Sequence, residues 1–245
     1  MSGCVLAEDL AVRRLLSVTF VALLGVSAPL AASVLTFDIT PVPVPNDPID
    51  QNYGDRITAA VMGGFSYGTT GGFTPNVVVS YGPTGPGPDD CVYFWDQNFG
   101  DLMNVVAQFS GATNYGILEV VLTADPGFFV SLASFDLAGW NRSDWTINSL
   151  QVFDDSTGGV MFSATDVPVE GDGVGPGHSA FAFGTGLWSD RLRIRIDASN
   201  LPGGNGLNIG IDNITFSQNV PEPSTALLLG GALCFLGGLR RTRRS

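Results

Sequence analysis

Short runs of alternating apolar and polar residues, divided by stretches rich in Gly, Pro, Asp and Asn, fill the chain from residue 33 to residue 219. The clearest run is RLRIRI at 191–196. Its strict alternation predicts a β-strand with Leu and Ile side chains in the core and arginines in solvent. The region shows no helical periodicity of useful length. About ten to twelve strands joined by tight turns predict an all-β body at 33–219, a single jelly-roll-like β-sandwich.

The pattern changes at the N-terminus. Arg13 and Arg14 precede a continuous apolar run, 15–30, which ends in the small residues APLAAS. A basic segment, an apolar segment and small residues at the exit are typical of a secretory signal peptide. We therefore expect residues 1–32 to be a signal peptide that is removed near Ala32.

A second continuous apolar run, 225–239, lies close to the C-terminus. As a helix its 15 residues span about 22 Å, which is less than the ~30 Å hydrocarbon core of a bilayer. It is expected to act as a single short transmembrane helix and a weak anchor; a buried core helix is the alternative. Four arginines are expected to stop it on the cytoplasmic side and leave the body outside. They are Arg240, Arg241, Arg243 and Arg244.

The motif Pro221-Glu222-Pro223-Ser224 precedes this glycine-bearing apolar run and its arginine cluster. The three features in this order resemble the PEP-CTERM sorting signal of bacterial envelope proteins. In that family an exosortase, a membrane cysteine protease, is thought to remove the tail during export. The resemblance implies that residues 220–245 are a sorting signal. It also implies that the secretion machinery and an exosortase are partners, and that an inner-membrane-anchored intermediate precedes release to the envelope, cell surface or extracellular matrix.

The body also resembles a group of exported PEP-CTERM proteins whose sandwich is similar to carbohydrate-binding modules. The resemblance implies a fold and export, and no activity comes with it. The matching segments are LTFD at 35–38, QNYGDRIT at 51–58, FTPNV at 73–77, LTADPGF at 122–128, SFDLAGW at 134–140 and IGIDNITF at 209–216.

The charge of the body excludes one class of partner. Between residues 33 and 220 the chain has five arginines and 20 acidic residues, and the whole chain contains no lysine. Such an acidic body repels nucleic acid at long range, so nucleic-acid binding is excluded. Cys91 is the one cysteine of the body, which rules out an internal disulfide there.

Two acids mark a candidate calcium site. Asp38 is expected to end the first strand and Asp212 lies in the last, and jelly-roll modules often bring these strands together. Calcium takes several oxygen ligands, so the two carboxylates and one or two carbonyl groups are a candidate structural Ca²⁺ site. The alternative is a pair of solvated acids that discourage strand pairing at an edge.

Aromatic residues mark a candidate glycan site. Trp140 and Trp145 flank the turn sequence NRSD, which adds Arg142 and Asp144, and a second pair is Tyr93 with Trp95. Indole rings stack on the apolar faces of sugars, while neighbouring charged groups bind hydroxyls. The alternative is that the tryptophans are core residues.

Catalytic patterns are sparse. His178 is the one histidine, in a glycine-rich loop, and no nucleophile-elbow sequence accompanies it. Glu119 alternates outward and is expected at the surface. The sequence thus predicts a non-enzymatic exported protein that binds glycan or assembles with exopolysaccharide. The alternatives are a secreted carbohydrate-active enzyme and an adhesin that acts through protein partners.

Overall fold

A computed structural model describes residues 32–38, 48–62, 65–67, 72–82, 92–95, 97–108, 116–171, 177–202 and 208–219. The predicted sorting signal at 220–245, all of the predicted signal peptide except Ala32, and Cys91 lie outside these ranges.

The described residues form thirteen β-strands and no α-helix. Within these ranges, no helical segment has the length and apolar content needed to span a bilayer. The strands are β1 (Ser33–Leu35), β2 (Val61–Met62), β3 (Phe65–Ser66), β4 (Val77–Gly82), β5 (Val92–Trp95), β6 (Val105–Gln108), β7 (Ile117–Ala124), β8 (Phe129–Gly139), β9 (Trp145–Asp154), β10 (Gly159–Val169), β11 (Ser179–Ser189), β12 (Arg191–Asp197) and β13 (Ile209–Asn219).

Two antiparallel sheets carry the fold. Sheet one has the order β11-β8-β13-β6-β5, with β1 also paired to β13, and sheet two has the order β10-β9-β12-β7-β4. Strands β2 and β3 form a separate small hairpin. One apolar cluster contains residues from both sheets, which is the arrangement of a β-sandwich. The predicted all-β fold is confirmed.

Strand β12 shows how alternation in the sequence becomes two faces. Leu192, Ile194 and Ile196 lie in the core between the sheets. The three arginines of the strand lie on the outer face of sheet two, because successive side chains of a strand point to opposite sides. The predicted orientation of RLRIRI is confirmed.

Those arginines cover an acid that was expected at the surface. Glu119 is on the outward-facing side of β7, yet only 2% of its side chain is exposed. Its Oε1 lies 3.0 Å from Nη1 of Arg193 and 3.3 Å from Nε of Arg195, its direct partner across the strands. The guanidinium of Arg193 also lies 4.8 Å from the ring centroid of Phe153. The expectation for Glu119 was wrong because long arginine side chains shield an outward position from solvent.

Strand β13 has two partners along one edge. Gly210 and Ile211 pair with β6, whereas Ile214 to Phe216 pair with β1; β8 occupies the opposite edge. Asp212 and Asn213 therefore lie between the end of one partner and the start of the next. The register with β8 shifts immediately after Asp212, and Asn213 has a positive φ of 52°. We call this irregular position the strand junction.

A second, smaller apolar cluster lies on the outer face of sheet one. Val106 and Ile211 point into the main core, so their neighbours Val105 and Gly210 face outward. The segment 97–104 folds over this face. The cluster consists of Phe99, Leu102, Val105, Ala107 and Ala138, with Trp95 and Trp140 packed against it.

Candidate glycan-binding site

The turn between β8 and β9 displays the residues that the sequence marked for glycan binding. Asn141 and Arg142 have φ angles of 57° and 53°, and two successive positive φ angles are the requirement of a type I′ turn. Asparagine adopts this conformation readily, but arginine does so rarely. Arg142 is therefore held out into solvent by a backbone geometry that its own side chain does not favour.

Trp140 belongs to an aromatic group beside this turn. Its ring centroid lies 5.0 Å from that of Trp95 and 5.2 Å from that of Phe99, with tilted ring planes. Phe99 is fully buried, whereas both tryptophans are half-buried and keep part of their surface in solvent. Nε1 of Trp95 is buried and donates no hydrogen bond within the described ranges. The two tryptophans thus pack against buried Phe99 and also keep an exposed edge, called the exposed rim.

Arg142 differs from the other arginines of the body. It forms no ion pair or hydrogen bond with any described residue, while Arg56, Arg191, Arg193 and Arg195 each lie within 4.0 Å of a carboxylate. An exposed, unpaired guanidinium retains its five donors for a ligand.

The other two predicted residues lie close by. Asp144 is exposed, and its Oδ1 accepts a hydrogen bond of 2.9 Å from the backbone N–H of Gly171, which anchors the turn to the loop after β10. Trp145 is half-buried against the main core, and its Nε1 donates to the carbonyl oxygen of Trp140 at 3.4 Å. The structure thus brings the four predicted residues to one turn, with Trp145 serving mainly in packing.

The same end of the sandwich holds the histidine. Nδ1 of His178 lies 2.8 Å from Oδ1 of Asp101, which belongs to the segment that folds over sheet one. Asn98 in that segment accepts a 2.8 Å backbone hydrogen bond from Asn141, so the His178–Asp101 contact lies near the Arg142 turn. A histidine and an aspartate 77 positions apart give no signal in the sequence.

The strand junction brings together the acids proposed for calcium. Asp212 and Asp136 are direct partners on β13 and β8, and Asn104 donates a hydrogen bond to Asp38 across the gap between β1 and β6. Asn213 donates its side-chain amide to Asp136 at 3.0 Å and its backbone N–H to Asp212 at 2.6 Å. First and last strands thus meet as expected, although β1 ends three residues before Asp38.

Burial controls the ionisation of this group. Asp212 is 4% exposed, and burial raises the pKa of its carboxyl group to about 8. Repulsion from Asp38 and Asp136 also raises this pKa, whereas the hydrogen bond from the backbone N–H of Asn213 lowers it. Among the described residues, no set of three or more His, Cys, Asp or Glu side chains has an arrangement suited to a metal ion. At neutral pH the carboxyl group of Asp212 thus holds a proton, and a calcium ion at the junction stays a prediction.

One exposed aromatic residue escaped the sequence analysis. Trp188 on β11 is 60% exposed and lies edge-on to Phe129 of β8, with ring centroids 5.3 Å apart. Its direct partner is Ser131, which in turn pairs with Ser217 on the outer face of sheet one. The sequence GLWSD gave no sign of exposure, because a tryptophan in a strand is usually core.

No protein-family model matches this chain, and no match was found among curated proteins.

Proposed function

We propose that this protein is an exported, non-enzymatic, jelly-roll-like β-sandwich that binds glycan in the bacterial envelope or extracellular matrix. Residues 1–32 direct secretion. Residues 220–245 hold an intermediate in the inner membrane until an exosortase removes them. The acidic, lysine-free body suits a hydrated polysaccharide, since its net charge keeps it soluble.

The observation that carries the glycan proposal is the unpaired Arg142 beside the exposed rim of Trp140. Sugar recognition combines an aromatic surface for the apolar face of a ring with donors and acceptors for its hydroxyls. Arg142 supplies donors, and the exposed side chains of Asn98, Asn141 and Asp144 supply amide and carboxylate groups at the same end of the sandwich.

Binding is tested with a glycan array followed by calorimetric titration of the strongest hit. Arg142→Ala removes no contact seen in the fold, so its melting temperature stays at the wild-type value. Its affinity falls by about tenfold, since a hydrogen bond to a charged group contributes roughly 1.5 kcal/mol or more. Arg191→Ala, an exposed arginine on the outer face of sheet two, is the matched control and retains wild-type affinity. A blank array, or equal affinities for the two variants, overturns the glycan proposal at this site.

Export is tested separately by mass spectrometry of the mature protein from its native host. The expected product begins near Ser33 and lacks the apolar run 225–239, and deletion of the exosortase restores the tail. A mature protein that retains both terminal segments refutes the export route but leaves the sugar site open.

One observation favours a carbohydrate-active enzyme as the second candidate. A buried carboxyl group with a raised pKa next to other acids, as at Asp212, is the arrangement that glycosidases use for a general acid. The test is reducing-sugar release from the array hits, with Asp212→Asn as the variant. Release that the variant abolishes establishes the enzyme, while no release from any hit supports the binding protein.

A further inference from the structure

The exposed Trp188–Phe129 pair lies where the chain leaves the sandwich. Phe129 is the direct partner of Asn219, the last residue of β13. Only residues 220–224 separate Asn219 from the apolar run that begins at Thr225. Fully extended, this connection reaches about 20 Å. The first residue of the apolar run, Thr225, can therefore lie no farther than about 20 Å from Asn219, at the end of sheet one that carries Trp188.

The chemistry of this pair suits a lipid interface. Tryptophan is enriched at the boundary between headgroups and acyl chains, because it has an apolar ring and one polar N–H. Trp188 exposes 60% of its surface, and its indole N–H makes no hydrogen bond with any described residue. The alternation of side chains along β11 places Trp188 on the outer face of the sheet, where its ring contacts that of Phe129.

The charges near this end of the sandwich determine which lipid headgroups can approach it. Asp125 and Asp155 lie at this end of the strands, paired with Arg56 and Arg191, and the exposed Asp190 follows β11 directly. The local balance is not basic, and the body as a whole is strongly acidic. Anionic headgroups would be repelled, so a zwitterionic interface is the better partner.

We infer that Trp188 and Phe129 enter the interface of the bilayer that holds the C-terminal apolar run, and that they orient the anchored body with this end toward the membrane. The inference rests on the proposed membrane anchoring of the tail. It adds a membrane-contacting surface on the folded body. This contact ends when the tail is removed. The position of the pair beside Asn219 favours lipid over sugar as its partner.

The test uses the full chain in phosphatidylcholine vesicles whose acyl chains are brominated near the headgroup, since bromine quenches only nearby indole rings. Wild-type protein is compared with Trp188→Phe and with the matched control Trp145→Phe, whose ring is packed against the core. Quenching is expected in the wild type and the control. In Trp188→Phe most of the quenching is lost.

The outcomes separate this inference from the tail hypothesis. Protein that does not float with the vesicles refutes both. Protein that floats while the two variants lose equal amounts of quenching, or while no tryptophan is quenched, overturns the interface contact and leaves the anchor intact. A change in Trp188 emission on addition of a soluble oligosaccharide, with no quenching by brominated lipid, also overturns it and assigns the pair to sugar.

Discussion

Replacing Asp212 with asparagine removes a carboxyl group that the fold buries beside two other acids. Asp136 faces it directly from β8, Asp38 approaches from the segment after β1, and the phenol of Tyr53 is close enough to interact electrostatically. Asparagine has the same shape, and its side-chain oxygen still accepts the N–H of Asn213. The variant thus removes the ionisable group and little else.

The size and sign of the effect follow from the pKa. The ordinary value is 3.8 and burial raises it to about 8, so the native state retains a proton that the unfolded chain has released. Below pH 3.8 both states are protonated and this effect on stability vanishes. Between that value and about pH 8 the free energy of unfolding falls by roughly 1.4 kcal/mol per pH unit. At pH 7 the accumulated loss is about 4 kcal/mol, a large part of a typical domain's stability.

The assay is urea unfolding, followed by tryptophan fluorescence at pH values from 4 to 9. Asp212→Asn is expected to match the wild type near pH 4 and to exceed it by about 4 kcal/mol at pH 7. Curves that coincide across the whole range would refute the reasoning that burial keeps Asp212 protonated.

Calcium provides a second arm of the same experiment. A bound calcium ion needs ionised carboxylates, so its effect on the wild type would grow with pH. If calcium stabilises the wild type at pH 8 and not Asp212→Asn, the predicted site at Asp38 and Asp212 is supported. If it changes neither, the junction is a proton-holding feature of the fold.

Two further predictions concern ion pairs. Glu119→Ala removes the shared partner of Arg193 and Arg195 and is expected to cost about 2 kcal/mol in urea unfolding. The loss stays moderate because the two arginines keep Asp155 and Asp197 as partners. Glu119→Gln is expected to cost less, and equal losses would contradict an electrostatic role. Arg56→Ala breaks an exposed two-bond contact with Asp125 and should change stability only slightly, with the change shrinking further at high salt. A large, salt-independent loss would show that the contact contributes more than surface pairs do.

Much of the candidate site was visible in the sequence because turns are encoded locally. The stretch NRSD between two apolar runs predicts a turn, and a turn exposes its central residues, so Arg142 and Asp144 were expected in solvent. The two tryptophans next to that turn were ambiguous. Indole side chains serve both cores and binding surfaces, and only the packing partners decide between them.

Sequence alone determined the strands and the alternation of their faces, because these depend on periodicity and turn chemistry within a few residues. Tertiary structure decided everything that depends on a neighbour distant in the chain. It buried Glu119 beneath two arginines of β12, placed Asp136 against Asp212, and left Trp188 exposed beside the exit of the chain. Exposure and ionisation are properties of a side chain's surroundings, and in a sandwich those surroundings come from strands far apart in sequence.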